Sequence, residues 1–174
     1  MRELEIKILE VDPQKIRQCL EEVGAKKSFD GEMLALFLDY EDRRISKRGD
    51  VLRIRREDQE IRLTYKSHIS QEGIKEMEEL ETSAGDAETL IRIFEQLGCG
   101  IVKQTRKFRT QYEWKGTHIV LDDYKDDLSE IPVFVEIEAL DPESLFETAS
   151  MLGFSKGDCK SWNTYDLIRY YGLS

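Results

Sequence analysis

The chain has 174 residues, which suits one domain with a sizeable core; no apolar run spans a membrane and no N-terminal apolar segment reads as a signal peptide, so a cytoplasmic protein is expected. Its net charge of −10, from 36 acids against 26 bases, argues against sequence-independent binding to nucleic acid, because phosphate backbones repel it. Cys19, Cys99 and Cys159 are odd in number and widely spaced, which argues against a disulfide framework and a thiolate zinc site.

The opening stretch MRELEIKILE alternates charged and apolar side chains and predicts a strand over 2–10. Asp12 and Gly24 then bracket a helix: Asp caps its first free N–H groups, Pro13 fits the first turn, and Gly closes the last. Strands are predicted over 34–40, 51–57, 60–66 and 75–83. Arg48-Gly49-Asp50 forms the turn before 51–57, and Glu57-Asp58-Gln59 the turn after it. A second helix between Asp86 and Gly98 carries Leu90, Ile91, Ile93, Phe94 and Leu97 at helical spacing. Strands over 103–113, 117–123 and 133–139 follow, the first two joined at Lys115-Gly116. Asp141, Pro142 and Gly153 punctuate a third helix, and a fourth runs from about Asn163 to Tyr171. Strand, helix and three strands thus occur twice in succession, an α+β pattern whose short turns imply antiparallel neighbours.

The strands sort their charges. Glu3, Glu5 and Lys7 share one face of the first. Arg53 and Arg55 oppose Leu52 and Ile54; Arg62, Thr64 and Lys66 oppose Ile61, Leu63 and Tyr65. Glu79 and Glu81 flank Leu80, Lys107 and Arg109 flank Phe108, Asp122 follows Leu121, and Glu136 and Glu138 alternate with Val135 and Ile137. Two architectures fit this pattern. One is a sheet with a solvated charged face; the other is a closed eight-stranded antiparallel barrel, with helices packed outside and charges lining a watery tunnel. Ionisable groups facing inward must be paired or hydrated, and paired carboxylates with Arg and Lys suit a divalent cation and a polyphosphate together.

Glu3-Leu4-Glu5-Ile6-Lys7 resembles the ExExK signature of the CYTH superfamily, the triphosphate tunnel metalloenzymes, which include class IV adenylate cyclases and thiamine triphosphatases. The motifs that follow match in order: LRIR ending at Arg55, RLTYK ending at Lys66, ExE at Glu79 and Glu81, KFRTQY from Lys107 to Tyr112, IVLD ending at Asp122 and FVEIE ending at Glu138. The resemblance covers nearly the whole chain and implies a single domain over 1–174 with a closed eight-stranded tunnel. It implies Mg²⁺ or Mn²⁺ held by Glu3, Glu5, Glu136 and Glu138, with Asp122, Glu79 and Glu81 contributing directly or through water. Lys7, Arg53, Arg55, Arg62, Lys66, Lys107 and Arg109 would cradle a triphosphate, and Glu3, Glu5, Lys107 and Arg109 would form the catalytic set.

The activity implied is cyclisation of ATP to cyclic AMP and pyrophosphate. The alternatives are hydrolysis of tripolyphosphate, thiamine triphosphate or a nucleotide, and a non-catalytic polyphosphate-binding module. A homodimer is a family-level expectation. The chain departs from the family at SHIS after Lys66, at SEIPVF before Glu136, and at Ala35, where an acid is common. These departures bear on the substrate's non-phosphate end. His68 is expected in a turn, while His118 shares the parity of Asp122 and could face the tunnel. Trp162 and Tyr165 are expected against the barrel mouth, and Trp114 at a hairpin end.

Overall fold

In the computed structural model of the chain, the described residues are 2–57, 59–70 and 73–173, with Arg2 described by its backbone alone; Asp58, in one expected turn, lies outside them. The strands are β1 (Arg2–Ile8), β2 (Lys26–Tyr40), β3 (Val51–Glu57), β4 (Glu60–Ser70), β5 (Lys75–Ala84), β6 (Cys99–Trp114), β7 (Thr117–Tyr124) and β8 (Phe134–Ala139), with a two-residue β9 (Cys159–Lys160). The helices are α1 (Pro13–Glu22), α2 (Ala87–Gln96), α3 (Pro142–Met151) and α4 (Thr164–Tyr170). All four begin where the sequence places them, on caps. Asp12 accepts the N–H groups of Gln14 and Lys15, Asp86 those of Glu88 and Thr89, Asp141 that of Ser144, and Asn163 those of Tyr165 and Asp166. Gly24 and Gly153, just past α1 and α3, take left-handed φ values of 71° and 88°, which a Cβ would strain.

Every strand pairing is antiparallel. Neighbours run β5-β4-β3-β2-β6-β7-β8-β1, and β1 pairs again with β5 through Arg2 to Glu5, which closes the sheet into a barrel. Exchanging β1–β4 for β5–β8 maps this ring onto itself. The repeated strand and helix order of the sequence is therefore a pseudo-twofold arrangement, with β1/β5 and β2/β6 as its two crossing pairs.

The even–odd alternation decides what faces which way. Ile6, Ile8, Ile119, Leu121, Val135 and Ile137 point outward beneath α1 and α3, where Ile16, Leu20, Leu145 and Ala149 cover them. On the other side α2 lays Leu90, Ile91 and Phe94 over Leu38, Leu52 and Ile54. Burying such side chains stabilises the fold by roughly 1.5–3 kcal/mol each. At one end the inner face itself turns apolar, and α4 packs Leu167 and Ile168 there with Leu9, Tyr124 and Phe134. So three helices clothe the barrel while the fourth partly caps it.

Three local expectations change. β2 begins at Lys26, eight residues before the expected 34, and β6 begins at Cys99, because the two strands pair along most of their length. β4 continues to Ser70, so His68 lies in a strand opposite Met77 rather than in a turn. β1 ends at Ile8.

Candidate functional site: a tunnel of paired charges

The ladder registers place the sorted charges on one inner surface. Lys7 lies opposite Glu136, Glu5 opposite Glu138, Arg109 opposite Asp122, Arg55 opposite Arg62, and Lys66 opposite Glu79. Two cavities enter this interior from opposite ends. One opens among Phe37, Val51, His68 and Tyr165, the other among Arg62, Glu79, Glu81 and His118. Arg55, Lys66, Arg109 and Glu138 line both, so they mark the middle of the passage.

Each charge has a definite neighbour. Lys7 donates to Glu5 at 2.7 Å and also to Glu136, and Lys75 reaches the same Glu5 oxygen at 2.8 Å. Burial alone would push the Glu5 carboxyl up, but Lys7 and Lys75 hold it down at about 2. Burial likewise opposes the charge on Glu136, and Lys7 and Arg109 hold it well below the usual carboxylate range. Asp122 accepts two hydrogen bonds from Arg109, at 2.7 and 2.6 Å, and another from Lys107. Burial and the adjacent Arg109 lower the Lys107 ammonium to about 8, against the pull of Asp122. Across the barrel Lys66 bridges Glu3 at 2.6 Å and Glu79 at 2.9 Å. Arg62 meets Glu81 at 2.8 Å, and Arg55 lies 3.4 Å from the same carboxylate.

Two groups depart from this pairing. Glu138 forms no hydrogen bond or ion pair among the described residues. Burial raises its carboxyl well above the usual range, and Glu3 and Glu136 nearby raise it further. Arg53 also forms no ion pair among them, and its buried Nε has no hydrogen-bond partner. An acid crowded by acids and an unsatisfied guanidinium lining the same cavity are a chemical fit for a hard cation and an anion bound together. Among the described residues no three acid, imidazole or thiolate groups already converge as metal ligands, since lysines stand between the acids.

All fourteen of the sorted charges therefore face the tunnel. Sequence reasoning missed Lys75 and Tyr124, which line the first cavity, although Lys75 shares the parity of Glu79 and Glu81, and Tyr124 that of Asp122. His118 faces the second cavity and lies 3.2 Å from Gln111. The Trp162 ring lies 4.9 Å from that of Tyr170 at a tilt of 54°, Tyr165 lines the first mouth, and Trp114 ends the β6–β7 hairpin. The three cysteines are free, and among the described residues no helix is long and apolar enough to cross a membrane.

The family model described as the CYTH domain matches residues 1–158. A Methanocaldococcus jannaschii protein provisionally named an adenylate cyclase is 30% identical over 141 residues, covering 79% of this chain and 77% of that one. Among solved structures, a provisionally named adenylate cyclase from Vibrio parahaemolyticus superposes with a TM-score of 0.83 at 15% identity, over 96% of this chain and 97% of its own. A conserved hypothetical protein from Pyrococcus furiosus gives 0.78 at 25% identity, over 95% and 99%. A Hippeastrum protein provisionally named an adenylyl cyclase, and described as having a dominant triphosphatase activity, gives 0.73 at 18% identity, over 99% and 97%. A closed barrel with acid and base strands in this order, matched by the family's model along most of its length, makes this chain a member of the CYTH domain family.

Proposed function

We propose that the protein is a divalent-metal-dependent enzyme acting on the triphosphate of a small molecule, most like a class IV adenylate cyclase that converts ATP into cyclic AMP and pyrophosphate. The observation that carries this reading is the middle of the passage, where Arg55, Lys66, Arg109 and Glu138 come from four strands to one space. A triphosphate is long enough to touch bases on several strands at once, and Arg groups grip its oxygens in pairs.

In this reading Arg53, Arg55, Arg62 and Lys66 hold one side of the phosphate chain, and Lys7, Lys107 and Arg109 the other. Glu3, Glu5, Glu136 and Glu138 are the ligands for Mg²⁺ or Mn²⁺, supported by Asp122, Glu79 and Glu81. When bound, such a cation offsets negative charge developing on the phosphate oxygens. The tunnel's own contribution is positioning: fixed bases align the phosphorus under attack with the leaving oxygen, and Lys107 and Arg109 stabilise charge on the equatorial oxygens. In cyclisation the ribose 3′-oxygen bonds to the α-phosphorus, the bond to the β-phosphate breaks, pyrophosphate leaves and one proton is released.

Hydrolysis by water at the terminal phosphorus is the second reading, favoured by the activity described for the Hippeastrum protein of the same fold. Separating the products formed from ATP, tripolyphosphate and thiamine triphosphate with Mg²⁺ or Mn²⁺ tests both. Cyclic AMP with pyrophosphate supports the cyclase and orthophosphate alone supports the phosphatase. No turnover of any of the three overturns the enzyme reading.

A further inference from the structure

Phe37 stands on the inner face of β2 at the first mouth. Its ladder partners are Arg53 of β3 on one side and Lys103 of β6 on the other. The Lys103 ammonium lies 5.1 Å from the centre of the Tyr165 ring, which also lines this mouth. Neither Lys103 nor Arg53 forms an ion pair among the described residues, in a tunnel where most bases have one. Burial lowers the Lys103 ammonium from its ordinary value, with no carboxylate nearby to offset it. Asp50 is an acid at this rim, but it is spent: it accepts from the Tyr65 hydroxyl at 2.8 Å and the His68 N–H at 3.0 Å, and pairs with Arg48 at 3.1 Å. The mouth thus offers two aromatic faces, with the unpaired Lys103 ammonium set against one of them, while Arg53 is assigned to the phosphates.

We propose that Lys103 is a specificity-determining charge filter for the organic end of the substrate, admitting a neutral ring and rejecting a cationic one such as the thiazolium of thiamine. The inference rests on the reading of the tunnel as a triphosphate site. With the phosphates held among the deeper bases, the organic group faces Phe37 and Tyr165. A neutral nucleobase stacks on such rings at no electrostatic cost. A permanent cation there competes with Lys103 for the Tyr165 ring and is repelled by its ammonium, in a partly buried setting where salt screens poorly.

Calorimetric titration with ATP, thiamine triphosphate and tripolyphosphate, each with Mg²⁺, tests this. The wild-type protein is expected to bind ATP at least about tenfold more tightly than thiamine triphosphate. Lys103→Met narrows that ratio by about fivefold, as expected for losing one nearby charge in a medium of intermediate dielectric, while Lys103→Arg preserves it. Equal wild-type affinities overturn the filter. So does a ratio unmoved by Lys103→Met, which would leave Lys103 merely a prop for α4 through Tyr165. Tripolyphosphate has no organic end and separates the two levels. If it binds and the ratio stays put, the filter alone falls; if it does not bind at all, the triphosphate reading falls with it.

Discussion

Lys7 shows how finely a single residue can be tied to this tunnel. Its ammonium sits between Glu5 and Glu136 with only about 5% of the side chain exposed, and both carboxylates depend on it. Lys7→Met leaves Glu5 with Lys75 and Glu136 with Arg109 as their remaining cations, and removing one partner of a buried ion pair typically costs about 3–5 kcal/mol. Urea denaturation at neutral pH is expected to show a loss of that order, and to show it shrinking as pH falls and the two acids take up protons. A loss below about 1 kcal/mol would mean that Lys7 is not holding these acids. Glu138 makes the opposite prediction. Its carboxyl is crowded by Glu3 and Glu136, so Glu138→Gln relieves repulsion and should raise the melting temperature of the metal-free protein, by about 2–4 °C for each kcal/mol gained. The same change should abolish the further rise that Mn²⁺ gives the wild type. An unchanged Mn²⁺ response would remove Glu138 from the ligand set.

At the scale of elements, the loop between β2 and β3 hangs on Asp39. Its carboxylate accepts the N–H groups of Tyr40, Ile45 and Ser46 and the Ser46 hydroxyl, at 2.7–3.0 Å. Burial opposes its charge, yet the Ser46 hydroxyl and these N–H groups hold its carboxyl below the ordinary value. A depressed folded value adds stability that is present above the unfolded value of about 3.9 and is lost as pH falls through the folded one. Asp39→Asn should therefore destabilise the fold by about 1–3 kcal/mol near neutral pH, and differ little from wild type in acid. Equal curves at every pH would show that the loop does not depend on this acid. The helices were legible because Asp caps and closing glycines are local signals. The first half of β2 was not. KKSFDGE is poor in strand formers and its Asp-Gly pair reads as a turn, and it is strand only because β6 lies beside it. His68 escaped for the same reason, since β4 is prolonged by its pairing with β5.

Across the whole molecule, alternation identifies a charged face but cannot say whether that face is wet or enclosed. The four pairs joining β1 to β5 make the difference, and they join strands about seventy residues apart in the chain. The acids and bases of the site were legible because their signs are sorted by strand. Their partners were not, since Lys75 reaches Glu5 and Lys66 reaches Glu3 only across that closure. The α4 cap was half visible, in its aromatic residues but not in the apolar inner surface of Leu9, Tyr124 and Phe134 beneath it. Whether the enclosed charges are a triphosphate site is decided by titrating tripolyphosphate into the protein with Mg²⁺. One tripolyphosphate is expected to bind per chain, with affinity at least about tenfold weaker in Arg53→Ala, which removes a tunnel charge that costs no ion pair to lose. Absence of binding, or equal affinity in Arg53→Ala, would contradict a triphosphate site there.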